Sequence, residues 1–132
     1  LGAKSDGTLM AIDRTHICNT GAFGTTGVII SGKCTYLGSG AYRIPHQRAR
    51  TWLVYTNKAP SAAMRGFGMT QPTFVMETMM DIMAEKLGMD PMEIRLKNAL
   101  VDGDVTGTGQ KLRAVGLKDI LEKLRQESGW DK

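Results

Sequence analysis

The residues best suited to chemistry stand together in the run Ala62-Ala63-Met64-Arg65-Gly66-Phe67-Gly68-Met69-Thr70-Gln71. An arginine and a phenylalanine are set there among small residues and two glycines. Arg65 carries fixed positive charge on a planar fork of donors. Phe67 offers an apolar ring face able to stack on a planar ligand. Gly66 and Gly68 admit backbone conformations and close approaches that other residues forbid. A helix following this run would aim its unpaired N–H groups and positive dipole end back at it. Such a loop suits an anion or an electron-rich group. It holds no acid, base or nucleophile active at neutral pH, so alone it positions and polarises but transfers no proton. A structural strand-to-helix turn, with Phe67 in a core and Arg65 in water, fits the same residues.

The elements that must position this loop divide at about residue 60. Before it, strands and glycine-rich loops are expected over 1–60. Asp6-Gly7 is a hairpin signal leading into an extended stretch from Thr8 to Cys18. Only Leu1 to Ser5 precede that turn, so the chain is expected to begin partway along a strand. From Asn19 to Gly40 glycine recurs around the single β-branched run Val28-Ile29-Ile30, a pattern of loop with brief order. The Gly21-x-x-Gly24-x-x-Gly27 spacing is read as loop and not as a phosphate cradle, with no following helix or P-loop lysine expected. Gln47 to Thr56 alternates as a second strand.

After the loop at 61–71, residues 72–132 are expected to be mainly helical. Pro72 suits a first helical turn, and Gly88 suits the left-handed cap of a helix ending near Leu87. Glu77, Asp81 and Glu85 form a solvent stripe, while Val75, Met76, Met79, Met80, Ile82, Met83 and Leu87 make the rest apolar and mostly buried. Those methionines read as core filling; a flexible partner-binding surface is the other use of such a face. Asp90-Pro91-Met92-Glu93 is in capping-box order and starts a second helix through about Leu100. Leu117, Ile120, Leu121 and Leu124 define a third, amphipathic helix stopped at Gly129. The fold class expected is α+β: one domain of two layers, a mixed or antiparallel sheet packed against helices.

Composition excludes several functions. The 132 residues carry a net charge of +4, but Lys and Arg are scattered, and no basic stripe or aromatic platform predicts nucleic-acid binding. No run nears the roughly twenty apolar residues of a membrane span, and the start has no signal-peptide layout, so a cytoplasmic protein is expected. Cys18 and Cys34 are expected to be reduced, buried and structural.

Tyr42-Arg43-Ile44-Pro45, Val54-Tyr55-Thr56-Asn57, Ala63-Met64-Arg65-Gly66-Phe67-Gly68-x-x-Gln71 and Leu87-Gly88-Met89-Asp90-Pro91-Met92-Glu93-Ile94-Arg95-Leu96-Lys97-Asn98 resemble, in order and spacing, the large molybdenum-binding subunit of the xanthine dehydrogenase/aldehyde oxidase family. Asp6-Gly7-Thr8-Leu9 and Thr20-Gly21-Ala22-Phe23 are similar to earlier segments of it. The resemblance implies an internal piece of that subunit, inactive by itself. It implies that Met64, Arg65 and Gly66 border a molybdenum–molybdopterin cofactor, in plain or dinucleotide form, with the Arg65 main chain near the metal. It further implies that Phe67 packs on a small aromatic or aldehyde substrate, whose carbon is hydroxylated with oxygen from water. Implied partners are the remainder of the subunit and 2Fe-2S and FAD groups on other subunits or domains.

Gap-free spacing from the loop assigns a substrate-facing position to Lys33, where purine-oxidising members tend to carry arginine. A solvated loop lysine fits Lys33 equally, and loss of the planar fork disfavours purines. The family's other glycine-rich cofactor segments and its Gly-x-Gly-Glu glutamate are not found, and Glu77 and Glu93 are explained by helix position, so no catalytic residue is assigned. A non-catalytic anion-binding or assembly module on the same scaffold is the alternative from a different class.

Overall fold

The turn at Asp6-Gly7 forms as its residues dictate. Asp6 accepts from the Thr8 amide at 3.0 Å, and the Lys4 amide donates to the Thr8 carbonyl across the turn at 2.9 Å. Strand β1 (Gly2–Ala3) thereby pairs antiparallel with β2 (Leu9–Gly21). A computed structural model describes residues 1–131 and contains, in order, β1, β2, helix α1 (Gly27–Leu37), β3 (His46–Tyr55), α2 (Thr70–Leu87), α3 (Pro91–Asn98) and α4 (Leu117–Ser128). The sheet order is β1-β2-β3. Asp13 meets Arg48, and Asn19 meets Thr56, so positions advance together and β3 runs parallel to β2. The sheet is mixed and the fold α+β, as expected. Among the described residues no helix is long and apolar enough to cross a membrane.

Two compact units share the chain. The first comprises Leu1–Ala11, Ala41–His46 and the segment from Thr78; the second comprises Ile12–Gly40 and Gln47–Glu77. In the first unit Asn98 is 2% exposed and fully committed: Oδ1 accepts from the Leu9 amide at 2.8 Å, and Nδ2 donates to the carbonyls of Gly7 and Ile94 at 2.9 and 2.8 Å. One amide thus joins the hairpin to the end of α3. The Tyr42–Ala99 bridge adds a backbone pair beside it, and Leu9, Ile44, Met80 and Ile94 supply the core. The cap at Asp90 is as expected, with Oδ1 accepting from Met92 and Glu93 at 2.8 and 3.0 Å. Gly129, at φ 65°, ends α4 as expected.

The second unit contradicts the expectation of loop over Asn19 to Gly40. Residues 27–37 are an α-helix crossing from β2 to β3. Its glycines mark close packing. A Cβ on Gly27 would lie 2.5 Å from Thr20 Oγ1, and one on Gly38 would strike Arg14. The helix turns small residues inward, with Gly27, Ser31 and Cys34 buried, and leaves Val28 and Ile29 more than half exposed. Tertiary contact has overridden the β-branched propensity.

Helix α2 also differs from its expectation of broad burial. Only Pro72, Met76, Met80 and Ala84 are buried, one residue per turn, while Val75 is 55% and Ile82 38% exposed. Asp81 and Glu85 face water as expected, but Glu77 is half-buried.

Replacing Asn98 by Ala strips the buried Leu9 amide and Gly7 carbonyl of their side-chain partner, and leaves the Ile94 carbonyl only its helical bond. Denaturant unfolding should show a loss on the order of 3 kcal/mol, since each orphaned group costs ~1–3 kcal/mol. A loss below about 1 kcal/mol would mean that water replaces the clamp.

Candidate functional site

The loop between β3 and α2 adopts a backbone that few sequences tolerate. Gly66, Phe67 and Gly68 have φ of 94°, 48° and 92°, three consecutive residues on the left-handed side. Glycine reaches this region freely, but a phenylalanine there is strained by roughly 1–3 kcal/mol. Local bonds close the turn: the Phe67 amide donates to the Met64 carbonyl at 2.8 Å, and the Met69 amide to the Gly66 carbonyl at 2.9 Å. A Cβ on Gly66 would run into Thr70 Oγ1, and one on Gly68 would lie 2.5 Å from the Ile30 carbonyl oxygen of α1.

Helix α1 and the residues just before it hold this loop along its length. Thr25 Oγ1 donates to the Ser61 carbonyl at 2.8 Å, and Thr26 Oγ1 accepts from the Ala63 amide at 2.9 Å. The Ser61 amide donates to the Thr20 carbonyl of β2 at 3.0 Å. Two helical turns further, Lys33 Nζ stands 5.1 Å from the centre of the Phe67 ring. That cation–π contact is worth about 0.5–1 kcal/mol at an exposed site. Cys34 Sγ donates to the Gly68 carbonyl at 2.8 Å.

Strand β2 supplies what lies beneath. Arg14, His16 and Cys18 alternate on its half-buried face. Arg14 donates to the carbonyls of Cys34 and Thr35 at 3.4 and 3.2 Å, bringing positive charge to the C-terminal end of α1, whose own last turn has none. Burial lowers the pKa of Arg14, and burial followed by the nearby Arg14 charge lowers that of His16. Burial, then the neighbouring Cys18, raises that of the Cys34 thiol.

Two cavities open around the loop. An apolar groove of about 620 Å³ is bordered by Ile30, Met64, Arg65, Thr70, Gln71 and Phe74. A second, of about 480 Å³, reaches His16, Cys18 and Cys34 between β2 and α1, and Gln71 borders both. The first is walled by the opening turn of α2, where N–H groups and the positive dipole end lie.

Comparison with known proteins gives the family. The model of the molybdopterin cofactor-binding domain matches residues 1–99. The chain belongs to this family. It is 40% identical over 93% of its length to an aldehyde oxidoreductase of Megalodesulfovibrio gigas, of which it covers 14%. It is 39% identical over 96% of its length to the nicotinate dehydrogenase large molybdopterin subunit of Eubacterium barkeri, covering 30% of it. The solved aldehyde oxidoreductase from Desulfovibrio gigas superposes with a TM-score of 0.88 at 37% identity, over 95% of this chain and 14% of that one. The chain therefore spans less than a third of these relatives.

Within this member of the molybdopterin cofactor-binding domain family, Met64 and Arg65 are exposed on the groove, and Gly66 sits at the turn behind them. Phe67 and Lys33, 34 positions apart, are brought face to face. Nothing local in the sequence marks Thr25, Thr26 or Cys34, which hold the loop, for a role at the site. The usable signal was the small-residue spacing Gly27, Ser31, Cys34, Gly38, which repeats at helical intervals.

Gly68→Ala should destabilise the chain by more than Gly88→Ala. Both glycines have positive φ, but a Cβ at Gly88 meets nothing within 4 Å whereas one at Gly68 meets α1 backbone. Thermal midpoints of the two variants check this, with a Gly88→Ala loss of about 1 kcal/mol as the measure of strain alone.

Proposed function

We propose that this chain forms part of the molybdenum subunit of a hydroxylase acting on a heteroaromatic or aldehyde carbon, and that its Met64–Gly68 loop is one wall of the cofactor and substrate site. The observation that carries this reading is the strained Phe67 between two positive-φ glycines. Such strain persists where surrounding structure over-determines it, and it clusters at ligand clamps. Here α1 and its leading threonines supply that over-determination.

The residues present fit a molybdopterin. Its polar edges and phosphate ask for donors, which Arg65, Gln71, Thr70 and the first turn of α2 offer around the groove. When bound, the cofactor would supply the redox chemistry, with water as the source of the oxygen. Arg65 and Gly66 would approach it through their backbone. Phe67 would orient a planar substrate against its ring, and Lys33, beside that ring, would favour substrates with an electron-rich or anionic edge. The relatives named for aldehyde and for nicotinate support both substrate classes. A general base, the remaining cofactor contacts, and the 2Fe-2S and FAD groups would come from the rest of the subunit or from partners.

Two experiments test this. Elemental mass spectrometry of the intact complex should find about one molybdenum per copy of this chain, and persistent absence of metal and pterin points to a non-catalytic module. In that complex, Phe67→Gly should keep stability within about 1 kcal/mol, because lost packing is offset by relieved strain. The same change should lower kcat/KM on a heteroaromatic substrate roughly tenfold. Full activity in Phe67→Gly would remove Phe67 from the site.

A further inference from the structure

Consecutive residues of α1 reach consecutive residues of the loop: Lys33 lies over Phe67, and Cys34 donates to Gly68. The first contact is exposed and the second is not, for Cys34 is 4% exposed and Gly68 is buried. A thiol is a weak donor, but it is the side-chain partner given to a carbonyl that lies inside the left-handed run. That carbonyl belongs to the Gly68–Met69 peptide, whose N–H donates to the Gly66 carbonyl, so rotating that peptide would open the turn that carries the Phe67 ring. The turn of α1 bearing Cys34 is itself fixed, since Arg14 donates to the carbonyls of Cys34 and Thr35.

We propose that Cys34 is a positioning residue: its thiol, held by the α1 turn that Arg14 anchors, fixes the Gly68 peptide and so sets the Phe67 ring beneath Lys33 for planar substrates. The proposal rests on the reading of the loop as a substrate wall. Burial and the neighbouring Cys18 raise the Cys34 pKa, so at neutral pH the proton needed for donation stays on sulfur. The second cavity reaches the same sulfur from the β2 side, so the thiol borders a space without losing its partner. A role in packing alone would ask only for volume, which alanine and serine both reduce to a similar extent. A role in donation asks for a hydrogen, which serine supplies and alanine does not.

The test uses the intact complex with Cys34→Ala and Cys34→Ser. Steady-state kinetics would be measured on a heteroaromatic substrate and on acetaldehyde, which has no ring to stack. Hydrogen exchange of the peptide spanning residues 64–70 would be followed by mass spectrometry, independently of turnover. Cys34→Ala should raise KM for the heteroaromatic about fivefold, leave KM for acetaldehyde unchanged, and speed exchange in the loop about fivefold, the weight of one hydrogen bond. Cys34→Ser should restore both. Equal losses on the two substrates in both variants, or native exchange in Cys34→Ala, would overturn the proposal.

Should Cys34→Ala fail to fold, the S–H stretch decides. It is isolated as the infrared difference between the native protein and Cys34→Ser, and a band at the frequency of a free thiol overturns the assignment. A complex without molybdenum or hydroxylase activity would instead defeat the functional reading, while loop exchange would still report on Cys34.

Discussion

The backbone of helix α1 meets the backbone of the site loop at Gly68, with room for a hydrogen and not for a methyl group. That contact constrains everything near it. It requires a glycine on the loop, and it brings the helix close enough for a thiol to reach a peptide carbonyl and for a lysine to reach a phenyl ring. It also gives Phe67 a conformation it would not adopt alone. The strain is borne by ties at both ends of the loop, from Thr25 and Thr26 at its start to Cys34 at its close. A close-packed interior transmits such fits with little slack.

Strand β2 serves that contact with polar groups where a sheet usually offers aliphatic ones. Arg14, His16 and Cys18 face the helix. Arg14 is explained by the bare C-terminal carbonyls of α1, which a cation satisfies. The His16 Nε2 and Arg14 Nε atoms are buried without a hydrogen-bond partner among the described residues. The interior face of this strand is therefore built to orient a helix as much as to bury surface.

Much of this was legible in the sequence, and what was not has a common cause. The Asp6-Gly7 turn, the cap at Asp90 and the stop at Gly129 are local: each depends on the chemistry of a few neighbouring residues, and each formed. The Arg65–Gly68 loop stood out for the same reason. Helix α1 did not, because its signal is a stripe of small residues, whereas helical periodicity is usually sought in large apolar ones. Its glycines speak of partners distant in sequence, Thr20 and Arg14, and such contacts leave no local trace. Helix α2 differs in the opposite direction: its apolar residues are abundant, yet only one per turn is fully buried, with Met79, Met83 and Leu87 half-covered.

Asp90 divides its two oxygens between tasks. One caps α3, and the other accepts the indole N–H of Trp130, just past α4, at 2.8 Å. The other tryptophan, Trp52, stands 62% exposed on β3 in the second unit. Each unit thus carries its own indole, one tethered and one wet. The intrinsic fluorescence of this chain is a sum of two separable signals: release of α4 from the head of α3 alters the light from Trp130, while disturbance of the sheet that backs the loop alters that from Trp52.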